Sequence, residues 1–328
     1  MSGLVNRIFF LSFGFPAHNI ELSADSGAQS MKEINAMGRT INGKTTTLAL
    51  IGDPVGHSIS PQMHNYACEL LGLNYAYVAF TVREEGVPAA LDAMRALGIR
   101  GFNVTMPCKI AAFHNTDRQS EAAQIIGACN TVINDGGVLT GHITAGEGYV
   151  NMLRDGGVDI AGRKITVCGC GGAGTAIAVQ CALDGARAVS IFNRKSRSWD
   201  RALETAGKIR KYRPDCAVSV FDLADSERLA EEIADSDILA NGTNLGMKPL
   251  DDRMVVPDAS VFRPGLIVTD AVYDPLKTKM IRLAQEAGCR TFGGKGMLLW
   301  QGVSAFKLFT GHDMPVEEVR AKFFADLS

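Results

Sequence analysis

The sequence predicts an α/β protein built as two domains, on three observations. Its 328 residues are long for one compact domain and enough for two, each with its own core. From Thr47 onward, strand and helix patterns alternate. Finally, Ile165, Thr166, Val167, Cys168, Gly169, Cys170, Gly171, Gly172, Ala173 and Gly174 place a G-x-G-x-x-G pattern between a β-branched apolar run and a helix-forming stretch. That is the context a dinucleotide-binding βαβ unit requires.

Residues 48–51 read as the first strand. Ser60 and Pro61 open a helix as N-cap and first-turn residue, with Met63, Ala67 and Leu70 on one face and Gly72 ending it. Residues 75–82 form a strand apolar on both faces, which suits a sheet covered by helices on each side. A helix with Val87, Leu91, Met94 and Leu97 inward then leads to a strand over 101–104. A second series begins near Gly146. It runs through the strand before the glycine loop, a helix over 175–183, a strand over 188–192, a helix over 199–212, a strand over 218–223 and a helix over 226–234. Strands over 238–240 and 266–272 follow. Residues 297–309 and 316–327 are two helices with no strand between, expected to pack back on the first domain.

The first 46 residues match neither series. Residues 8–15 are a short apolar run interrupted by Ser12 and Gly14 and followed by Pro16. No small-residue cleavage site comes next, and the run is too short to span a bilayer. The segment is expected to be a loosely ordered extension.

Composition narrows the partners. With 46% hydrophobic and 21% charged residues and a formal charge of −2, the chain offers no electrostatic footprint for nucleic acid or a membrane surface. Small molecules are the expected partners. The eight cysteines lack paired metal spacing, and His57 with His64, or Cys108 with His114, lack the remaining ligands, so no metal is expected. Reduced thiols point to a cytoplasmic protein. No coiled-coil heptad marks the oligomeric state, and a homodimer is compatible with the pattern.

The glycine loop lets the backbone turn tightly and approach a pyrophosphate, whose charge faces the free amides and positive end of the following helix. An NAD-selective site carries an acid at the end of the second strand. Here that strand runs into Asn193, Arg194, Lys195, Ser196 and Arg197, with no acid and three cations. An arginine can hold a 2′-phosphate by charge-assisted bonds. NADP(H) is the expected cofactor, with NAD also possible.

Four further segments are too polar and too glycine-punctuated to be core alone. They are Gly56-His57-Ser58-Ile59-Ser60-Pro61, Asn103-Val104-Thr105-Met106-Pro107-Cys108-Lys109, Gly127-Ala128-Cys129-Asn130-Thr131 and Gly296-Met297-Leu298-Leu299-Trp300-Gln301. With the glycine loop and Tyr273-Asp274-Pro275, they resemble the motifs of the shikimate dehydrogenase family, in that family's order, from about Thr47 to the C-terminus. The last segment is similar to the quinate/shikimate dehydrogenase branch.

The resemblance implies an N-terminal α/β substrate domain (residues 47–145) completed by C-terminal helices (294–328), around an inserted Rossmann domain (146–293). Shikimate or quinate would lie in the cleft. Lys109 occupies the slot of the family's catalytic lysine, where a cleft-desolvated amine of lowered pKa exchanges a proton with the reacting hydroxyl. Ser58 and Ser60 are implied to bind the substrate carboxylate, and Thr105, Asn130 and Gln301 the ring hydroxyls. Tyr273 is implied near the substrate and the nicotinamide. Gly169, Gly171, Gly172, Ala173 and Gly174 are implied to hold the cofactor, together with Asn193, Arg194 and Lys195. Asn241, Thr243, Gly246, Met247, Gly294 and Met297 are implied to line it.

One motif departs from the family. Its G-x-Asn-Thr-Asp-Gly run, whose aspartate pairs with the catalytic lysine, is here Gly141-His142-Ile143-Thr144-Ala145-Gly146. Glu147 is two positions on and is expected to point elsewhere. The reading is therefore a dehydrogenase whose activity is impaired or redirected by Ala145. The alternative is a non-catalytic ligand-binding or regulatory paralogue. A folate dehydrogenase of similar layout is disfavoured by the Ser58 and Ser60 pair.

Overall fold

A computed structural model describes residues 41–196 and 198–327. The extension expected over residues 1–46 lies outside the described residues up to residue 40, and so does Arg197 of the basic run. Residues Gly43–Ser328 form one compact unit, which carries two six-stranded sheets.

In the first sheet, β1 (Thr46–Gly52) lies between β2 (Tyr75–Thr81) and β3 (Gly101–Val104), both parallel to it. β5 (Thr131–Asp135) and β6 (Val138–His142) extend it as an antiparallel hairpin, and β4 (Arg118–Gln119) closes the far edge. The hairpin turns on Gly136 and Gly137, at φ 63° and 97°. A two-residue turn with positive φ at both central positions is of type I′, which side chains resist and glycine allows. The sequence reading missed this hairpin.

Two expectations about this half are corrected. β2 is an edge strand, so Val78 and Phe80 are exposed and only Tyr77 of that strand is buried. Helix α1 (Ser60–Leu70) starts at Ser60 itself, with Ile59 in the cap position and no side-chain cap. The Ser60 N–H instead donates to Ser58 Oγ at 3.2 Å. Met63 and Ala67 are buried as expected, but Leu70 is exposed. In α2 (Val87–Ala96), Val87, Leu91 and Met94 pack on Ala49, Ile51, Phe102 and Val104, while Leu97 beyond its end is exposed. Short helices α3 (Lys109–His114) and α4 (Glu121–Ile126) complete this part.

Helix α5 (Thr144–Asp155) leads into the second sheet. That sheet is wholly parallel: β7 (Lys164–Cys168), β8 (Ala188–Asn193), β9 (Ala217–Asp222), β10 (Ile238–Asn241), β11 (Ile267–Asp270) and β12 (Arg290–Phe292), ordered β12-β11-β10-β7-β8-β9. Its helices are α6 (Gly172–Leu183), α7 (Trp199–Tyr212), α8 (Ser226–Ala234) and α9 (Lys279–Glu286). Strand order reverses about β7, so the crevice for a ligand opens at its C-terminal end, where the glycine loop lies. β12 and α9 are additions to the sequence reading.

Helix α10 (Gly294–Thr310) returns the chain, and α11 (Val316–Phe323) packs on α1. The return onto the first half is expressed in one apolar cluster: Met63, Ala67 and Cys68 meet Leu299, Phe306 and Val319. Helices α5 and α10 touch backbone to backbone. A Cβ on Gly148 would lie 2.5 Å from the Gln301 nitrogen and 2.7 Å from the Met297 carbonyl. The border expected at 145/146 falls inside α5, and that at 293/294 coincides with the start of α10. Among the described residues, no helix is long and apolar enough to cross a membrane.

Close approach also explains the last glycine of the loop. A Cβ on Gly174 would run into the Gly169 carbonyl, and one on Gly242 would lie 2.5 Å from the Gly174 Cα. Gly174→Ala is therefore expected to destabilise the protein by about 1–3 kcal/mol in urea denaturation. Gly207→Ala, in α7 with open space around it, is expected to be neutral or stabilising by up to about 1 kcal/mol. Equal midpoints for the two variants would refute this account.

Candidate active site

Seven residues from five separate stretches of chain line one cavity of about 380 Å³: Ser58, Ser60, Thr105, Lys109, Asn130, Tyr273 and Gln301. These are all the residues singled out for the substrate and for proton transfer. The loop before α1 brings Ser58 and α1 opens with Ser60, Thr105 directly follows β3, α3 starts with Lys109, and α10 presents Gln301 one turn beyond Met297.

Asn130 is buried, and its orientation is forced. Its Oδ1 accepts the Thr144 N–H at 2.8 Å and the hydroxyls of Thr131 and Thr144 at 3.3 Å each. Since Ile143 supplies no side-chain cap to α5, Asn130 satisfies one of the orphan donors at that helix start. Its Nδ2 then reaches Gln301 Oε1 at 3.4 Å. Behind these groups, Ser60 bonds the Tyr77 hydroxyl, Tyr77 donates to Asn103 Oδ1 at 2.8 Å, and Asn103 donates to Thr131 Oγ1 at 3.1 Å. Polar groups beneath the cavity thus form one satisfied chain from the serines to the amides.

Lys109 is half-buried, and burial holds its ammonium below the usual lysine range, with the Cys129 thiol opposing that shift. No Asp or Glu is among the described residues lining the cavity. Ile143 is buried and Ala145 packs against the apolar cluster around Ile125 and Ile177. Glu147 points elsewhere, as expected. Burial raises its carboxyl pKa, and it bonds Ser304 on α10.

A second depression of about 580 Å³ also includes Lys109 and extends to Gly172 and Thr175 at the start of α6. The lysine therefore borders both spaces. The glycine loop fits a dinucleotide phosphate. Gly169 has φ 91°, a Cβ on Gly171 or Gly172 would meet nothing within 4 Å, and α6 starts at Gly172 with no side-chain cap. Its first amides are thus left for a ligand.

Not every predicted cofactor residue faces open space. Asn193 is buried, with Oδ1 accepting the Cys170 N–H at 3.0 Å and Nδ2 donating to Ser198 Oγ at 3.0 Å, so it shapes the loop. Arg194 and Lys195 beyond it are exposed, and Asp222 is 3.7 Å from Lys195. Asn241 is buried too. Its Oδ1 accepts from Thr243 N and Oγ1, at 2.9 and 2.7 Å, and its Nδ2 donates to Asp270 at 2.9 Å. It holds the loop that carries Thr243, Gly246 and the exposed Met247. Met297 is buried where α10 meets α5, and Gly294 packs on the Ala271 and Val272 backbone.

The sequence reading did not assign Tyr77, Lys295, Phe323 and Phe324 to the site, and it weighed His64 only as a metal ligand. His64 lines the cavity wall, stacked on Tyr77 with ring centroids 4.6 Å apart. Burial pushes its pKa down to about 3, so it is neutral. Its spacing from Ser60, one helical turn, was the available signal. Phe323, Phe324 and Lys295 close one end of the cavity, where Lys295 pairs with Asp326. Nothing local in the sequence links these residues to Ser60.

Residues 50–132 match the shikimate dehydrogenase substrate binding domain, and residues 294–322 match the shikimate 5'-dehydrogenase C-terminal domain. The chain is 46% identical over 290 residues to a shikimate dehydrogenase (NADP(+)) of Listeria monocytogenes, covering 88% of this chain and 99% of that one. It is 44% identical over 280 residues to a quinate/shikimate dehydrogenase of Escherichia coli, covering 85% and 97%. Among solved structures it resembles shikimate 5-dehydrogenase from Listeria monocytogenes in complex with shikimate and NAD. The TM-score is 0.84 at 46% identity, covering 87% of this chain and 98% of that one.

The cofactor-side loop carries a pH dependence. Burial raises the Asp270 pKa to about 6, although it accepts from Thr278 Oγ1 at 2.7 Å, Val272 N at 3.0 Å and Asn241. The folded state therefore holds a proton that the unfolded chain, near pH 4, releases. Stability from this group is greatest below pH 4 and falls as pH rises to 6. Asp270→Asn removes that dependence, so its stability relative to the parent is expected to improve by about 2 kcal/mol from pH 4 to pH 7. Denaturant titrations with parallel pH profiles for the two proteins would contradict this.

Proposed function

The chain belongs to the shikimate dehydrogenase family, and on that premise we propose that it is an NADP(H)-dependent oxidoreductase of a cyclic hydroxy acid. It interconverts shikimate and 3-dehydroshikimate, or quinate and 3-dehydroquinate. The observation that carries this reading is the position of Lys109, which borders both the cavity of substrate-type residues and the depression that reaches the glycine loop.

Ser58 and Ser60, at the positive end of α1, would take the substrate carboxylate, a favourable place for an anion. Asn130, Gln301, Thr105 and Tyr273 would orient the ring from the walls. The glycines of the loop and the first amides of α6 would hold the cofactor diphosphate, and Arg194 and Lys195 its 2′-phosphate. When bound, the nicotinamide supplies the acceptor or donor of hydride. Lys109 Nζ takes the proton of the reacting hydroxyl in oxidation and returns it to the carbonyl oxygen in reduction. Its burial favours the neutral amine that oxidation requires. The substrate domain spanning 47–145 and 294–328 and the cofactor domain spanning 146–293 are part of the same proposal.

Among the described residues no carboxylate lines the cavity with Lys109, which favours slow or redirected turnover and supports a second reading, a ligand-binding paralogue. Activity separates the two. Initial rates of NADP⁺ and NAD⁺ reduction with shikimate and quinate are expected to be measurable. Lys109→Met is expected to lower kcat by about 10²- to 10⁴-fold. Ala145→Asp is expected to raise kcat and to move the alkaline inflection of the rate profile upward, because a nearby carboxylate favours the ammonium form. No turnover by the parent or by Ala145→Asp would leave the ligand-binding reading. In direct titration NADP⁺ is expected to bind more tightly than NAD⁺, and the reverse order would refute the 2′-phosphate assignment.

A further inference from the structure

Two lysines, Lys109 and Lys295, are among the described residues lining the substrate cavity, and only Lys109 has a part in the reaction proposed above. Lys109 also borders the depression that reaches Gly172, whereas Lys295 stands with Phe323 and Phe324 at the closed end. The packing of α1 beside α10 puts that end next to the serines. A Cβ on Gly302 would run into Met63 Cε. Ile59 and Leu298, each four residues earlier in the chain, pack on one apolar cluster together with Phe323. A step further toward the two helix starts come Ser58 and Lys295, both on the cavity wall. Lys295, Leu298, Gln301 and Gly302 recur at helical spacing, so one face of α10 carries both the cation and the amide.

A carboxylate already meets the Lys295 ammonium, that of Asp326 on the turn after α11. The side chains of Lys295 and Asp326 are 29% and 45% exposed, and a pair so open to solvent holds its partners weakly. An ammonium has three protons to donate, and Asp326 Oδ2 takes one of them.

We propose that Lys295 binds the substrate carboxylate by charge, beside Ser58 and Ser60, and so makes the site selective for acids over neutral ring alcohols. A serine hydroxyl serves a carboxylate or an uncharged oxygen, whereas an ammonium in a partly enclosed cavity favours the anion. Both α1 and α10 begin at this end, and their positive ends act in the same sense. The contact lies away from the reacting hydroxyl, so it is made alike in ground state and transition state, and its loss raises KM while leaving kcat. The inference rests on the ring-acid substrate proposed above and adds the cation that reads the acid.

Calorimetric titration of the full chain with shikimate and with quinate tests it. Lys295→Met, close in length but uncharged, is expected to weaken binding of the acid about tenfold, the effect of one charge-assisted bond. Lys295→Arg keeps the charge and is expected to keep the affinity. The methyl ester of the same acid has no charge for Lys295 to read, so its binding is expected to be the same in all three proteins. Unchanged acid affinity in Lys295→Met, equal weakening by Met and Arg, or equal loss for acid and ester would overturn the assignment. Failure of a parent protein with a normal melting transition to bind either acid would overturn the substrate class instead.

Discussion

The bond from the Thr144 N–H to Asn130 Oδ1 is the constraint on which the arrangement of the site depends. It ties the first residue of α5 to the residue just before β5, and so sets where the chain leaves the first sheet for the second. Because α5 packs backbone to backbone on α10 through Gly148, the same bond indirectly positions Gln301. It also decides which face of the Asn130 amide the cavity receives. A buried helix start must find partners for its free amides. Here the partner is a residue of the site, so folding and ligand recognition share one contact.

A second constraint is close approach on the cofactor side. Gly169, Gly174 and Gly242 bring the end of β7, the start of α6 and the end of β10 nearer than side chains allow. Asn193 and Asn241 brace this arrangement from within, each with its amide fully engaged. Both were expected to hold cofactor. Each is bonded to the loop that would do so, as suits a buried amide at the C-terminal end of a parallel strand.

Much of the second half was legible because its local signals agree with one another. The helices over Trp199–Tyr212 and Ser226–Ala234 have the predicted limits, since their apolar spacing and their boundaries coincide. The first half was less legible. The β5–β6 hairpin is short and turns on two glycines, and β4 is only two residues long, below what periodicity can register. The apolar run of β2 looked central and lies at an edge, because composition cannot say how many neighbours a strand has. Ser60 looked like a helix cap, but the helix begins one step earlier and Ser58 receives its amide.

The sequence by itself determined the alternating α/β pattern, the glycine turn, the missing acid after β8, and Ala145 in place of an acid. Each depends on residue type at fixed short spacing, which the chain carries without folding. Only the tertiary structure decided that Ser60, Tyr77, Asn103, Thr131, Asn130 and Gln301 form one polar chain. It likewise decided that Lys109 borders two spaces and that α11 and the residues after it wall one of them. These contacts join positions far apart in the chain, and their donor directions follow from which buried groups already have partners.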